Sequence, residues 1–594
     1  MIIAYDIETR GLGKEFILGS LIQQNGVIKT FDNKEVMWKY ILKKGQSEKK
    51  RKRLLKLYSH GGDYDFNALG LIGKKGMVIK NFNPFIASYQ EEEKDMIHFY
   101  DSYSIFRMPL KQLGEMIGKK KLEMPKETET KKLEEYCIRD SEIVMEGIKW
   151  IKERLKEQEV PMKHIITISQ VAIQYFMNKW RKEQKEYLFE EYKGNFGVRK
   201  RIWETKYKEE IHQAIRGGRV ESFQYGKHED CIELDINSSY TKSAMDMRFP
   251  DLRTESFRRG NITNKKFFSN IGICKAMIYN EEDELGLLQV RTDAFNHVLK
   301  KGQYGIGVWT FDEIKEALKN GHELIKTEWY ITYFDSYQNP FKEILEELYK
   351  KKKSAKTTGE RWFYKQLMNH AFGKMAYKKK QKEIIIDDME KAEQYLKKNY
   401  EILRGISFDW VYQKELEPEK KDYYAPAVTA LIYANARINL YKELQKIPKK
   451  VRIYCDTDSI ITYEEFIDNF DIGIELGEMK VKEKNVDVTV FHRKALSVGE
   501  DIRVSGIHKK QLNKKDFEKG KVKGARKIAL NRTHEIEKYG DFEEINRDLK
   551  DEMLKHIKIN EMFQKQRILY DNQVTNVNEF IDEILMIDED LSIK

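Results

Sequence analysis

The sequence predicts a multidomain protein of the mixed α/β and α+β classes. Its 594 residues suffice for three to five folding units, at roughly 100 to 200 residues per domain. Short apolar segments rich in β-branched residues, such as 451–463, are typical of strands. In contrast, 132–150 and 359–377 carry apolar side chains at helical spacing. We therefore expect strands and helices distributed over several hydrophobic cores.

Composition indicates a folded, basic, reducing-compartment protein. Charged residues make up 35% of the chain and prolines are few, which favours surface helices over long disorder. The net charge is +11, and lysines cluster at 119–121, 350–353 and 378–382. Such clusters suit phosphate backbones, although each alone is also typical of a solvated lysine-rich face. The four cysteines lack C-x-x-C spacing, and no signal peptide or membrane-spanning run is predicted, so we expect a cytoplasmic protein without a membrane partner.

Carboxylates recur in three segments near the amino terminus. Asp6 and Glu8 alternate at the end of an apolar strand, Asp65 follows a glycine break, and Tyr136 and Asp140 are one helical turn apart. Four such carboxylates can hold two metal ions that activate water against a phosphodiester, with the tyrosine hydroxyl orienting the nucleophile. Taken singly, each segment is more typical of an ordinary strand end or helix surface pair.

A second carboxylate group is distributed over two distant segments. Asp456 and Asp458 lie two residues apart within 451–463, so both can face one point at a strand end. Asp235 ends another short strand, and Tyr240 follows the turn after it. The turn could approach a triphosphate, and Tyr240 would then lie beneath the sugar, where a bulky ring would exclude a ribose 2′-hydroxyl sterically. An isolated D-x-D is more often a surface turn, and the strand around Asp235 is also compatible with an ordinary strand and turn.

The predicted helix 359–377 carries polar and cationic side chains on one face. Arg361, Lys365, Asn369 and Phe372 are separated by four, four and three residues. Two cations and an amide on one stripe can bind a triphosphate, and an aromatic ring can stack near a base. An amphipathic helix with a basic outer face would give a similar pattern.

In chain order, DINSSY, KQLMNHAFG and YCDTDS resemble motifs A, B and C of family B DNA polymerases. The segments around Asp6, Asp65 and Tyr136 resemble the three exonuclease motifs that precede them in that family. The resemblance implies a DnaQ-like (RNase H-like) 3′–5′ exonuclease domain followed by a right-hand polymerase domain of palm, fingers and thumb. It implies a replicative DNA-directed DNA polymerase with proofreading.

The resemblance also assigns roles to the candidate residues. It implies Mg²⁺ at both sites, with Mn²⁺ as a possible substitute, and deoxynucleoside triphosphates as substrates. Asp235 and Asp458 would be the principal polymerase ligands, with Asp456 assisting. Lys365 and Arg361 would contact phosphates. The remaining assignments are the nucleotide-pocket residues Tyr240, Asn369 and Phe372, the exonuclease metal ligands Asp6, Glu8, Asp65 and Asp140, and the catalytic tyrosine Tyr136.

Three further segments resemble DNA-binding motifs of the family. AIRGGRVESF resembles the Y-x-G-G motif, with Arg216, Gly217 and Gly218 as the implied template contacts. Ser102 resembles a residue of a strand-binding motif, and Lys494 resembles the lysine of the K-x-Y motif that touches the primer end. This chain departs from the family patterns at Gly61 for asparagine, Tyr103 for leucine, Ile215 for tyrosine, Phe372 for tyrosine and Leu496 for tyrosine.

The motif spacing points to the protein-primed branch of the family. The chain is short for family B, and its two insertions match the terminal-protein regions of the replicases of small phages and linear plasmids. The resemblance implies priming from a terminal protein, strand displacement, DNA as template and primer, and a monomer or a heterodimer with the terminal protein. The expected divisions are 1–165 exonuclease, 166–230 linker, 231–250 and 423–524 palm, 251–340 first terminal-protein region, 341–377 fingers, 378–422 second terminal-protein region and 525–594 thumb.

Two alternatives stay open at this point. One is a family B polymerase that extends ordinary nucleic-acid primers. The other is a nonenzymatic DNA-binding protein descended from a polymerase, which the complete set of carboxylates disfavours.

Overall fold

The computed structural model is built on two large β-sheets joined by helices. It describes residues 1–504 and 514, except 11–14, 72–73, 83, 93, 126–128, 161, 163, 181–190, 194–198, 202–204, 292–295, 337, 377–380, 407–408 and 417–422. The predicted thumb, 525–594, lies outside the described residues. No helix in the described part is both long enough and apolar enough to cross a membrane.

The elements follow one another in mixed order along the chain. The strands are β1 Ile2–Arg10, β2 Glu15–Gln23, β3 Ile28–Phe31, β4 Leu55–Ser59, β5 Met77–Phe82, β6 Phe85–Glu91, β7 Lys94–Asp101, β8 Glu191–Lys193, β9 Arg199–Arg201, β10 Val220–Ser222, β11 Gly226–Ile236, β12 Pro250–Arg259, β13 Ile271–Asn280, β14 Gln289–Arg291, β15 Asn296–Val298, β16 Gln303–Thr310, β17 His322–Asp335, β18 Gln381–Asp388, β19 Glu401–Ile406, β20 Asp409–Leu416, β21 Tyr454–Asp456, β22 Ser459–Tyr463, β23 Met479–His492, β24 Ala495–Val498 and β25 Asp501–Val504. The helices are α1 Lys34–Lys50, α2 Gly62–Ala68, α3 Tyr103–Phe106, α4 Leu110–Met116, α5 Thr130–Glu157, α6 Ile168–Lys179, α7 Lys208–Ala214, α8 Ser239–Asp246, α9 Phe311–Lys319, α10 Lys342–Ser354, α11 Thr358–Met375, α12 Ala392–Lys397 and α13 Pro426–Gln445.

The first sheet has ten strands in the order β19-β20-β18-β5-β6-β7-β4-β1-β2-β3. The β1–β4 and β4–β7 pairs are parallel, whereas β2 runs antiparallel to β1. The amino-terminal strand continues to Arg10 rather than ending at Asp6, because its pairing with β2 runs on to Arg10↔Glu15. Helix α5 packs against β1 and β2. The strand side chains Ile3, Tyr5 and Leu57 lie in the core of this unit.

The second sheet is antiparallel and contains seven strands in the order β10-β21-β22-β11-β23-β24-β25. Its central strand, β11, pairs with β22 on one side and β23 on the other, so Asp235 faces Ser459 and Lys480 in the register. The edge strand β10 comes from the segment predicted as a linker. This sheet therefore brings residues more than two hundred positions apart to one sheet end.

The two predicted insertions are built differently. The first carries a four-stranded antiparallel sheet in the order β12-β17-β13-β16, with α9 beside it. The second contributes β18, β19 and β20, and β18 pairs with β5 through Ile384↔Ile79 and Ile385↔Val78. The second insertion therefore extends the amino-terminal sheet.

The predicted helix 359–377 is observed as α11, which packs against α6 and α10. The Thr357 side chain caps its first turn by accepting the Glu360 amide at 3.1 Å. The largest core cluster runs from α5 and α6 through α11 to the start of α13. The mixed α/β and α+β architecture predicted from the sequence is confirmed.

Candidate active sites

The D-x-D pair lies at the tip of the β21–β22 hairpin in the seven-stranded sheet. Asp456 ends β21, and Thr457 has a positive φ of 63° that closes the turn. The Asp458 amide donates to the Asp456 carbonyl at 2.7 Å. Asp458 is followed at once by β22, and its carbonyl accepts the Ile236 amide at 2.7 Å. The pair thus does mark a turn, but this turn adjoins the end of β11.

Three carboxylates meet at this end of the sheet. Burial, together with the neighbouring charges of Asp235 and Asp456, raises the pKa of Asp458 to about 6, while Lys482 opposes the rise. The raised pKa reflects burial and repulsion between like charges. A bound divalent cation would relieve this repulsion, because it favours the ionised form of the carboxylates. The donor set of hard oxygens fits Mg²⁺.

Two lysines pair with these carboxylates. Lys494, at positive φ between β23 and β24, reaches both oxygens of Asp456 at 2.7 and 2.6 Å. Lys482 reaches Asp235 at 2.8 Å. Asp456, Asp458 and both lysines line a cleft of about 680 Å³. Sequence reasoning missed Lys482, which carries no local signal beyond its place on a strand.

The IRGG segment packs against the tip of the β21–β22 hairpin. A Cβ on Gly218 would lie 2.7 Å from the Thr457 Cα, so only glycine permits this approach. The Thr457 amide donates to the Arg219 carbonyl at 2.7 Å. Gly218 therefore permits a close backbone approach to the Asp456–Asp458 turn.

The expectation that Arg216 offers its charge to a template does not match the structure. Its side chain is 4% exposed and donates to the Val308 carbonyl at 2.6 Å. Arg219 is equally buried and binds Glu221 at 2.9 Å. Both guanidinium groups donate their hydrogen bonds to carbonyl and carboxylate acceptors inside the protein. Template binding by Gly217 and Gly218 stays a prediction.

Helix α11 presents three of its four predicted residues on one exposed stripe, namely Arg361, Lys365 and Asn369. The Asn369 side-chain oxygen accepts a hydrogen bond from the Thr241 hydroxyl at 3.2 Å, which ties α11 to α8. The cations Lys352 of α10 and Lys480 of β23 join Arg361 and Lys365. Burial lowers the pKa of Lys352, and the positive charges of those three neighbours lower it further.

Phe372 does not line this pocket. It is 1% exposed and packs against Phe341 and Phe176, with ring centroids 5.5 and 6.5 Å apart. The three-residue step from Asn369 turns this side chain toward the core helix α6, whereas the four-residue step leads to the exposed Gly373. The predicted stacking of Phe372 on an incoming base is therefore wrong for this structure.

Tyr240 lies in the first turn of α8, half-buried beside Asp235's strand end. Burial raises its pKa to about 12, with Tyr433 and Asp458 adding to the rise and a backbone hydrogen bond with Gly218 opposing it. Its hydroxyl is thus neutral near physiological pH. Tyr240 thus links α8 to the glycine turn at Gly218.

The amino-terminal carboxylates converge across β1, α2 and α5. The Ile7 amide donates to Asp65 at 3.2 Å, which places that carboxylate beside Asp6 and Glu8. Burial and then the charge of Asp6 raise the pKa of Glu8 to about 8. Burial also raises the pKa of Asp65, with Asp6 again contributing. These carboxylates are close enough to bind the same cation.

Helix α5 brings Tyr136 and Asp140 to the same place. Among the described residues, Asp6 Oδ2 and Asp140 Oδ1 are buried oxygens without a hydrogen-bond partner. Unpaired buried carboxylate oxygens are costly unless an ion is bound, so this donor set fits divalent metal. Burial, together with the charges of Glu8 and Asp6, raises the pKa of Tyr136 to about 12.

Two residues of this site were missed by sequence reasoning. Lys121 forms an ion pair with Asp140 and places its ammonium 4.3 Å from the Tyr136 ring centroid. The Cys137 sulfur lies within 4.8 Å of ligand atoms of Asp6 and Glu8. The lysine run 119–121 was the available signal, but it does not say which lysine faces the carboxylates.

Gly61 and Ser102 lie beside the same site. Gly61 precedes α2 with a positive φ of 92°, and its amide donates to Asp101 at 2.9 Å. The Ser102 side chain is fully buried and bonds His60 Nδ1 at 2.9 Å. Ser102 therefore does not present its hydroxyl on the surface, whereas the neighbouring Tyr103 is 47% exposed.

Known DNA polymerases resemble this chain in sequence or in structure. The sequence profile described as DNA polymerase type B, organellar and viral, matches residues 2–421. Phi29 DNA polymerase complexed with primer-template DNA and incoming nucleotide has a similar structure, with a TM-score of 0.66 at 15% identity over 87% of this chain and 94% of that chain. Phi29 DNA polymerase with single-stranded DNA gives 0.67 at 14% identity over 89% and 96%. No curated protein sequence matches the chain significantly.

Proposed function

The chain belongs to the type B DNA polymerases of organelles and viruses, and is thus a DNA-directed DNA polymerase; from this we propose that it replicates a linear genome, edits its product and starts from a protein primer. Family membership brings a dependence on divalent metal in general. We propose Mg²⁺ as that metal, DNA as template and primer, and the host cytoplasm as the place of action.

One observation carries the polymerase assignment to particular residues. Asp235 from β11 and the Asp456–Asp458 hairpin meet at one sheet end, with the cationic face of α11 nearby. A nucleotidyltransferase needs these two surfaces together, because one must hold the reacting oxygens and the other the triphosphate. One of these Phi29 structures holds primer-template DNA and the other holds single-stranded DNA, which supports DNA as the partner here.

The proposed reaction is attack of the primer 3′-hydroxyl on the α-phosphate of a deoxynucleoside triphosphate, with release of pyrophosphate. Mg²⁺ held by Asp235 and Asp458, with Asp456 assisting, would supply charge stabilisation for the attacking and leaving oxygens. Arg361 and Lys365 would bind the phosphates, the first as a fork and the second as a point charge.

Other residues position the reactants. Asn369 and Tyr240 would line the nucleotide pocket, with the Tyr240 ring beneath the sugar. Lys494, beside Asp456, would contact the primer end. Gly217 and Gly218 would approach the template through the backbone.

We propose that the amino-terminal site performs 3′–5′ editing. Asp6, Glu8, Asp65 and Asp140 would hold Mg²⁺, which would supply activation of water and stabilisation of the leaving oxygen. Tyr136 would orient the nucleophile with its neutral hydroxyl. The unpaired oxygens of Asp6 and Asp140 support this assignment.

Primer extension with the full-length protein tests both activities. Asp458→Ala should abolish synthesis and leave degradation of single-stranded DNA, because the two carboxylate groups belong to different sheets. Asp140→Ala should remove editing and leave synthesis. Wild-type synthesis by Asp458→Ala would refute the site assignment, and an inactive wild-type protein would favour a nonenzymatic DNA-binding role.

Protein priming rests on the two insertions, 251–340 and 378–422. Both are folded units attached to the catalytic body, the first as a separate sheet and the second through β5. The test combines labelled deoxynucleotide, DNA origin ends and the candidate terminal protein. A covalent protein–nucleotide product is expected, and its absence alongside normal extension of DNA primers would favour a polymerase that uses nucleic-acid primers.

A further inference from the structure

A second tyrosine lies against Tyr240 in the polymerase pocket. Tyr433 of α13 has its ring centroid 5.0 Å from that of Tyr240, with the planes inclined by 53°. Within residues 426–440 of this helix, only Tyr433, Asn435 and Asn439 keep partial exposure. Tyr433 is therefore the one ring that this part of the core helix offers to the pocket.

The hydroxyl of Tyr433 reaches the fingers helix α11. A Cβ on Gly373 would lie 3.0 Å from Tyr433 Oη. One turn earlier, Asn369 bonds Thr241, the residue after Tyr240. Helices α8 and α11 thus meet at two adjacent points, once directly and once through the contact between the Tyr240 and Tyr433 rings.

The second aromatic ring of the pocket is therefore Tyr433, whereas the sequence suggested Phe372. Phe372 is turned into the core, whereas Tyr433 occupies the space beside Gly373, one residue further along α11. A steric gate works only if the ring cannot yield to the larger sugar. Tyr433 fills the space into which the Tyr240 ring would otherwise move.

We propose that Tyr433 is a positioning residue for sugar recognition. It holds the Tyr240 ring beneath the sugar of an incoming deoxynucleoside triphosphate, so that exclusion of a ribose 2′-hydroxyl depends on both rings. This inference rests on the proposed nucleotide pocket and deepens it.

Single-nucleotide incorporation on a primer-template measures the effect, with each dNTP and its matching ribonucleotide in separate reactions. Tyr433→Leu should lower the ratio of kcat/KM for deoxyribonucleotide over ribonucleotide by about tenfold, because a smaller side chain leaves room for the gate to move. Tyr433→Phe keeps the ring and should keep most of the ratio. Tyr330→Leu is the matched control, since that ring makes a similar contact with Phe267, at 5.3 Å, in the first insertion.

The contact with Gly373 supplies an independent variant. Gly373→Ala should push the Tyr433 hydroxyl and lower the ratio, and adding Tyr433→Phe should restore it because the clashing oxygen is gone. Restoration in the double variant supports the inference through a contact that simple destabilisation does not mimic.

The outcomes separate the inference from the function on which it rests. A wild-type protein that incorporates no nucleotide would overturn the proposed function. A selective wild-type protein, with Tyr433→Leu equally selective, would overturn the role of Tyr433 alone. Equal loss of both rates with an unchanged ratio would also overturn it, because that is the signature of a purely structural residue.

Discussion

Lys480 faces Asp235 across the β11–β23 pair and is exposed. Its charge acts on Lys352 together with Arg361 and Lys365, so four cations share one region next to the carboxylates. A triphosphate would relieve their mutual repulsion. The positive charge on Lys480 should therefore contribute to nucleotide binding from the palm side.

Lys480→Ala should raise the KM for deoxynucleotide by about fivefold, with a smaller change in kcat, since one charge-assisted phosphate contact is lost. Steady-state single-nucleotide incorporation measures both constants. Lys484→Ala, an exposed lysine on the same strand, is the control. A KM increase of the same size in both variants would mean that general surface charge, rather than Lys480, is responsible.

Glu8 gives the protein a pH-dependent stability. Its pKa rises from 4.5 to about 8 on folding, chiefly through burial and then through Asp6. A carboxyl whose pKa is raised binds its proton more tightly in the folded state. Its stabilising contribution is therefore complete below pH 4.5 and is lost as the pH rises through 8.

The Tm of the metal-free protein should fall between pH 5 and pH 8, and Mg²⁺ should raise the Tm more at pH 8, where the ligands are ionised. Differential scanning fluorimetry measures both effects. Glu8→Gln should show a smaller fall, whereas the exposed control Glu15→Gln should follow the wild type. An unchanged fall in Glu8→Gln would contradict the assignment of this effect to Glu8.

At the residue scale, spacing predicted which side chains share a face but not what covers them. The stripe of Arg361, Lys365 and Asn369 follows from helical period alone. The prediction for Phe372 was wrong because the three-residue step turns its ring toward Phe176 of α6, which comes from a distant part of the chain. Arg216 failed for the same reason, since its acceptor Val308 lies in the first insertion.

At the scale of elements, a buried ion pair joins the first insertion to the catalytic hairpin. Glu313 of α9 accepts from Arg437 of α13 at 3.0 and 2.7 Å, and both side chains are almost fully buried. The same guanidinium donates to the Arg216 carbonyl at 2.7 Å. That carbonyl begins the turn in which Gly218 packs on Thr457. Helix α9 is thereby linked to the tip that carries Asp456 and Asp458.

Arg437→Met should destabilise the protein by about 3 to 5 kcal/mol, because it leaves Glu313 charged and buried without its partner. The double variant with Glu313→Met should lose less than this. Urea unfolding followed by circular dichroism measures the difference. Arg154→Met breaks the more exposed pair with Glu360 and should cost about 1 kcal/mol or less. An equal loss of unfolding free energy in Arg437→Met and Arg154→Met would contradict the importance of the buried Arg437–Glu313 pair.

The position of the second insertion shows what element-level sequence reasoning lacks. Segment 378–422 was expected as an insertion between motifs, and its strands do form there. Nothing local in β18 indicates that it pairs with β5, some three hundred residues earlier. Strand partners are fixed by long-range packing, here the contact of Ile385 with Val78 and Tyr412.

At the scale of the whole molecule, two carboxylate sites lie on two different sheets of one chain. The order of motifs along the sequence was enough to predict both sites and the fold class, because each motif requires its neighbours for the same chemistry. The cations Lys121 and Lys482 could not be predicted, since they reach the carboxylates only after folding. The first site draws on β1, α2 and α5, whereas the second draws on β11 and the β21–β22 hairpin.

The most direct test of the account is primer extension by Asp235→Asn, which keeps the size of the side chain and removes its charge. We predict a loss of synthesis of at least about a thousandfold, with degradation of single-stranded DNA unchanged. Asp246→Asn, eleven residues on and paired with Lys242 on the surface, should extend primers normally. Extension by Asp235→Asn at the wild-type rate would contradict the central claim that Asp235 and the Asp456–Asp458 hairpin form one catalytic site.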